Sequence, residues 1–529
     1  MRERKPASFS RRRFLKGVAV AGVAIGGTGI LAACGDATAT PATTNTTSAA
    51  ATTAAATTAA PATTAAGAAT TAAAATTASS AATTAAATTA AATGTGTSLK
   101  TKAAILDAAK KYSGSKLVLS VVGTSPPLKA VIDEWTKATG VSLETTAIPP
   151  NEIFEKLTLN FTSDAGNFDL VSVTSSNFGA FAPYLTDLTQ LNTTYNFDEV
   201  QLVNMFKWYG KYNGGSYGIP YDGDQYMLFY RTDWLKKVGG DPANPPATWD
   251  DVFAIAQKMH NQDLDGNGTK AIGFAPRMSR VGTWQFFATK LASFGGDWFD
   301  ENWQPAINSA AGVAALEYAA KLKSVGPANS VSIGFADLDK MFLAGQVGFI
   351  EQFSTTATKA QFDKTNSKVI DKFGVMKLPA GPGGSRQYSP GGVSLAVTKS
   401  TKQQELAYLC ARYLACEETA VTQAVAGTGV EPTMVTAYNN PDFQAKWGDG
   451  KTSWKVAMDE GSGKILKQIP IPEFAALQEA LDLKLSEAYS GQTKPKDALD
   501  SVANSWKQIL DKAGYYAAGH AKYEVQNKS

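Results

Sequence analysis

The sequence predicts an α/β protein of two lobes, and three observations predict it. Apolar residues recur with period two and period 3.6 in alternation along the body of the chain. That alternation occurs in two separate regions, one opening at Lys116 and the other near Gly218. The length of 529 residues leaves room for two or three domains, each with its own core. Alternating strands and helices argue for doubly wound sheets, in which ligands settle at the carboxyl ends of strands.

Each element has its own warrant. Lys116 to Val122 (KLVLSVV) reads as a strand, Gly123 to Pro127 as a turn, and Leu128 to Thr139 as an amphipathic helix stopped by Gly140. Val141 to Ala147 is a second strand, Asn151 to Thr162 a helix, and Phe168 to Val173 a short apolar strand. In the second region Thr248 and Asp251 stand in capping-box spacing behind Pro245 and Pro246, which opens a helix to Met259. Cys410 and Cys416 lie in the helical pattern QQELAYLCARYLACEE. Six residues place them about 240° apart around a helix axis, which disfavours a mutual disulfide and favours buried packing.

The N-terminus has a different character. Ser10 to Lys16 (SRRRFLK) precedes a Gly/Ala/Val stretch from Gly17 to Ile30 and then Leu31, Ala32, Ala33 and Cys34. This resembles a twin-arginine signal joined to a lipoprotein processing box, which implies cleavage after residue 33, a lipid on Cys34 and an extracytoplasmic location at the cell membrane. Removing the seven basic residues and one acidic residue of positions 1–33 turns 49 basic and 46 acidic residues into 42 and 45, and the formal charge from +3 to −3. The electrostatic argument for a nucleic-acid partner goes with it. Residues 34–98 read as a tether: from Ala37 to Ser98 the chain is almost all Ala and Thr, with no charged residue and no face to bury. As a flexible coil its root-mean-square reach is about 45 Å. Thr content makes the tether a candidate for O-glycosylation. His260 and His520 are the whole histidine inventory, which argues against a zinc site or a histidine-based triad.

Several segments, in order, carry a resemblance. Tyr217 to Gly239 (YGIPYDGDQYMLFYRTDWLKKVG) and Pro245 to Lys258 are the strongest, supported by Phe168 to Leu188, Phe342 to Glu351 and Leu378 to Thr398 leading into the helix Gln403 to Leu414. Together they resemble the bacterial extracellular solute-binding proteins of the carbohydrate, maltose-binding class, from Lys116 to about Ala513. The resemblance implies a two-lobed periplasmic-binding-protein (type II) clamshell with hinge crossovers. It implies residues 115–222 and 390–433 in lobe 1, and 223–389 and 434–525 in lobe 2. It also implies a monomer that needs no cofactor, binds a carbohydrate or polyol, and delivers it to the permease subunits of an ABC importer. Closure would be a hinge motion driven by a solute that touches both lobes.

A sugar needs aromatic platforms and planar polar groups that accept and donate together. In lobe 1 the turns at Thr124 and Ser125 and at Ser176 and Asn177 match positions where maltose-type relatives contact ligand. Those relatives carry charged residues there; here the residues are neutral, which shifts the expectation toward neutral hydrogen bonds, with self-satisfied turns as the alternative. At the crossover Tyr221, Asp222 and Asp224 are candidates, since a carboxylate accepts from two adjacent hydroxyls. Glycine at 223 would permit the hinge torsion. Capping of the crossover by these acids, or their pairing with Arg231, is the competing reading. In lobe 2 the candidates are Trp284, Glu351 and Phe353, and at the returning crossover Gly391 and Gly392. Trp298 and Trp303 read as packing.

Asp263, Asp265, Asn267, Gly268 and Thr269 resemble the first half of an EF-hand calcium loop, although the twelfth position is Phe274 and not Glu. Calcium is therefore one reading, and an Asx-rich turn is the other. Among solutes, glycerol phosphate and peptides are alternatives within the family, and a sensor-feeding module is an alternative output. A secreted carbohydrate-processing enzyme is the rival from another class, since Asp222 and Asp224 are paired carboxylates.

Overall fold

Strand-bearing segments from both halves of the chain combine into two separate mixed sheets. The computed structural model describes residues 99–123, 126–150, 152–163, 165–447 and 465–526. Positions 1–98, with the signal, Cys34 and the tether, and the turn residues Thr124 and Ser125 lie outside the described residues.

In the first lobe β1 (Lys116–Val122) pairs in parallel with β2 (Ser142–Ile148), from Lys116↔Ser142 to Val122↔Ile148, and on its other side with β3 (Leu170–Thr174). The connecting helix Lys129–Thr139 buries Val131 and Trp135 and stops at Gly140, whose φ of 72° is the left-handed cap that glycine takes without strain. Helix Ile153–Thr162 buries Ile153, Leu157 and Phe161, one face at four-residue spacing. A short hairpin, β4 (Lys211–Tyr212) and β5 (Gly215–Ser216), leads to β6 (Ile219–Asp222).

The second sheet contains β7 (Tyr226–Arg231), β8 (Ile272–Ala275), β9 (Val347–Phe353) and β10 (Phe373–Met376) in the order β10-β7-β9-β8. Helix Trp249–Met259 opens as its sequence predicts, with Thr248 Oγ1 accepting from the Asp251 N–H at 3.2 Å. Alternate residues of β7 face opposite cores: Tyr226, Leu228 and Tyr230 enter one cluster, Met227 and Phe229 the other. Then β11 (Gln387–Ser389) leads through residues 390–392 into β12 (Val393–Val397), which returns to the first sheet and completes the order β2-β1-β3-β12-β6. Late in the chain β13 (Ile465–Lys467) pairs in parallel with β11.

The sheets are mixed rather than purely parallel, and the crossovers are the reason. β6 leaves its sheet at Asp222, the end at which β3 finishes with Thr174. β12 re-enters at that same end, with Val393 opposite both residues, so it runs antiparallel to β3 and β6. In the second sheet β7 likewise enters at Tyr226, opposite Phe353 at the end of β9. The carboxyl ends of β3, β6 and β9 thus gather where the chain crosses between lobes.

Two segments add to the sequence reading. Helix Lys102–Ala109, capped by Thr101, packs on helix Gln404–Ala415, and Arg412 Nη2 donates to the Leu99 carbonyl at 2.8 Å. Helices Val435–Tyr438 and Pro441–Trp447, which the family resemblance puts in the second lobe, form a cluster with Val203, Phe206, Tyr209 and helix Glu417–Ala426 of the first, while Trp447 also meets Phe362 at 4.8 Å. Cys410 and Cys416 are both free and buried. No described helix is long and apolar enough to cross a membrane.

Candidate functional site

Three stretches of backbone meet where the lobes join. The first is Gly223, Asp224 and Gln225, between β6 and β7. Gly223 does not have a positive φ, so the torsional role expected for it gives way to a steric one. A Cβ there would come within 2.6 Å of the Phe206 ring and 3.0 Å of the Pro432 carbonyl. The second stretch is Ser389 to Gly392. Gly391 has a φ of 70°, and a Cβ on it would lie 2.8 Å from Ser175 Cβ; one on Gly392 would overlap the Asp222 carbonyl. The Gly392 carbonyl accepts from the Ser175 N–H at 3.0 Å and its hydroxyl at 3.1 Å, which ties the return crossover to the end of β3. The third stretch is residues 430–433: the Gly223 N–H donates to the Glu431 carbonyl at 3.0 Å, and Thr433 Oγ1 donates to the Pro220 carbonyl at 3.2 Å.

This meeting brings three acids together. Asp222 is fully buried, Glu431 is 1% exposed and Asp224 is half-buried. Asp222 Oδ1 accepts the Glu431 N–H at 2.9 Å. Ser354, just after β9, donates its hydroxyl to Glu431 Oε2, and exchanges two further bonds with Gln225: its N–H to the Gln225 carbonyl at 2.9 Å and the Gln225 N–H to its Oγ at 3.2 Å. Among the described residues Glu431 Oε1 and both side-chain amide atoms of Gln225 have no hydrogen-bond partner. Burial pushes the Asp224 and Glu431 carboxyls well above the usual carboxylate range. The Asp222 charge adds to that for Asp224, and the charges of Asp224 and then Asp222 add to it for Glu431.

An aromatic cluster starts at Tyr226, the residue after Gln225, whereas the phenols that feel the acids' charge are those of Tyr209 and Tyr438. The Tyr226 ring meets Phe353 edge-on at 5.0 Å and Tyr388 at 6.5 Å; Trp284 meets Tyr388 at 6.1 Å and Phe474 at 5.4 Å. Trp284 opens helix Thr283–Ser293, with its N–H held by Asp482 Oδ1 at 2.7 Å. Arg277, held by Gln285 Oε1 at 2.6 Å, lies close enough to Tyr226 to oppose the upward shift that burial gives that phenol, which stands at about 12. Trp208, half-buried, donates to Ser389 Oγ at 3.2 Å.

The remaining candidates are placed as follows. Ser176 is buried in the turn after β3, and Asn177 Nδ2 donates to Thr174 Oγ1 at 2.9 Å. Tyr221 packs in the first-lobe core with its hydroxyl donated to Gln423 at 3.1 Å. Glu351 forms a buried ion pair with Lys290 and accepts the Thr289 hydroxyl at 2.9 Å, so both oxygens are engaged. Arg231 is not a partner of the crossover acids: it is bound by Asp233 at 2.6 Å and Asp265 at 2.9 Å. Asp265 also accepts from Trp234 Nε1, Asp263 accepts the N–H groups of Asn267 and Gly268, and Asn267 accepts that of Thr269. Among the described residues no three His, Cys, Asp or Glu side chains converge as a metal ion requires.

Sequence patterning missed Glu431, Gln225, Arg277 and Tyr388. Gln225 was within reach, because it stands between Asp224 and the strand. Glu431 carries no local signal: it sits in GTGVEPT, which reads as an ordinary loop.

Comparison with known proteins agrees with this architecture. Residues 120–421 match the family model described as bacterial extracellular solute-binding protein, and the chain belongs to that family. A probable amino-acid ABC transporter periplasmic-binding protein of Sinorhizobium fredii is 25% identical over 428 residues, 78% of this chain and 95% of that one. A mannitol-binding protein of Pseudomonas aeruginosa is 25% identical over 398 residues, covering 71% and 88%. Among solved structures, maltose-bound T. maritima MalE3 superposes with a TM-score of 0.65 at 23% identity, over 75% of this chain and all of that one. The fold is the type II periplasmic-binding-protein clamshell that these segments predict.

Proposed function

We propose that this chain is a lipid-anchored, extracytoplasmic binding protein that captures a sugar, oligosaccharide or polyol between its lobes and hands it, unchanged, to an ABC importer. One observation carries the reading. Where the strand ends of both lobes meet, the Gln225 amide and Glu431 Oε1 are buried without partners, and the chain neighbours of Gln225 and Ser354, Tyr226 and Phe353, open an aromatic cluster with Tyr388 and Trp284. Polar atoms buried without partners cost stability, and a ligand with many hydroxyls meets that need. The mannitol-binding relative is consistent with it. Catalysis is not part of the proposal: Asp222, half of the acid pair that a hydrolase would need, holds the backbone of Glu431.

The anchor would be a lipid on Cys34, with residues 34–98 as tether and the body acting as a monomer. Thermal-shift screening of the purified protein against mono- and oligosaccharides, polyols and sugar phosphates tests the solute class. A ligand at about 100 times its dissociation constant adds roughly 2.7 kcal/mol to the folded state. Absence of a shift with every carbohydrate, alongside a shift with peptides or amino acids, would overturn it. Cell fractionation of a Cys34→Ser variant tests the anchor: the protein moves from the membrane to the soluble fraction.

A further inference from the structure

The acid cluster at the hinge calls for a more specific solute than a neutral polyol. This inference rests on reading the site as one for a hydroxylated solute. Among the described residues no lysine, arginine or histidine is bonded to Glu431 or Asp224, and the titratable groups around them are Asp222, Tyr209 and Tyr438. Glu431 is 1% exposed, with one oxygen taken by Ser354 and the other unpartnered. Gln225 is fully buried, its backbone tied to that same Ser354 while its side-chain amide has no partner. A buried carboxylate without a cation is among the costliest arrangements in a protein interior, and a ligand can supply the missing charge. A metal ion is a poor fit, since the three acids, although near one another, do not form a group placed to hold one, and no such group occurs among the described residues. An anionic solute, such as a sugar phosphate, would set its own negative charge against these acids. An ammonium group offers three donors and a charge in a volume that the hydroxyls of a sugar already occupy.

We infer that the solute carries a protonated amine among its hydroxyls, as an amino sugar or amino polyol does, and that this amine is seated against Glu431 and Asp224 with the Gln225 amide taking a neighbouring hydroxyl. Protons held by the cluster leave as the ammonium arrives.

The test is titration calorimetry of the purified full-length chain with matched pairs that differ only in amine against hydroxyl: glucosamine and glucose, 1-amino-1-deoxyglucitol and glucitol, and the corresponding disaccharide pairs. Glycerol 3-phosphate is the anionic control. In at least one pair the amine is expected to bind about tenfold or more tightly than its partner, as a charge-assisted bond gained in a buried site allows. In two buffers of different ionisation enthalpy the amine releases protons and its partner does not. Glu431→Gln brings the pair toward equal affinity; Asp224→Asn does the same should the first variant fail to fold. Equal or tighter binding of the hydroxyl partner overturns this inference and leaves the carbohydrate reading standing. If neither member of any pair binds a protein that still unfolds cooperatively, the carbohydrate reading falls and this inference with it.

Discussion

Glu431 and Asp222, 209 residues apart, hold the hinge from both sides: the Glu431 N–H donates to Asp222 Oδ1 at 2.9 Å, while the Glu431 carbonyl accepts from Gly223 at 3.0 Å. Removing the acceptor leaves a buried N–H unsatisfied. Asp222→Ala should therefore cost about 1–3 kcal/mol in urea denaturation, and Asp222→Asn, which keeps an acceptor, visibly less.

The Lys290–Glu351 pair is sealed inside the second lobe, with the ammonium 3.5 Å from the Phe286 ring and 4.4 Å from that of Trp249. Glu351→Ala strands a buried cation and should destabilise by about 3–5 kcal/mol, whereas the double replacement Lys290→Met with Glu351→Leu should come out near neutral. Equal losses in both variants would show that shape, and not charge, dominates at this position.

Burial lifts Asp482 from 3.8 to about 6, against the Trp284 and Gly282 N–H groups that favour its charged form. The folded state binds this proton more tightly than the unfolded state. Its contribution is thus fully present below about pH 4 and is lost as pH rises through about 6. Comparing urea midpoints at pH 4 and pH 7, the wild type should lose more stability than Asp482→Asn over that interval.

Gly179, in the helix Phe178–Phe181 after β3, lies against residues of the opposite cluster: a Cβ there would stand 2.5 Å from the Pro470 carbonyl and 2.6 Å from Ile471 Cα. Both neighbours are backbone and cannot yield as a side chain can. Gly179→Val should hold the lobes apart at this contact. Small-angle scattering would give a larger radius of gyration, and solute affinity should fall by about tenfold or more, the cost of a clash of one to two kcal/mol.

The Asp263 loop should not gain stability from calcium. Its carboxylates already accept the Asn267 and Gly268 N–H groups, Arg231 and Trp234. Melting temperatures measured with calcium and with a chelator should coincide, and a calcium-dependent rise would restore the EF-hand reading.

Where the sequence reading succeeded, it relied on local signals. The run KLVLSVV and the capped helix after Thr248 carry their patterns within a dozen residues, and each forms the element its pattern predicts. Helix Lys102–Ala109 escaped because it follows directly on an Ala/Thr run whose composition hides its start. The family resemblance put residues 435–447 in the second lobe, and only the tertiary structure shows them packed on Phe206 and Tyr209 and, through Trp447, on Phe362.

By itself the sequence determined several strands and helices in their order, because periodicity and caps act over short stretches of chain, and a family resemblance, with the crossover at Asp222 and Asp224 that it implies, that the matched segment bears out. Only the tertiary structure decided which acids belong together. It drew Glu351 into an ion pair and Asp265 onto Arg231, and it carried Glu431 to the hinge from over two hundred residues away. Electrostatics depends on distance and burial, and both are properties of the fold rather than of spacing along the chain.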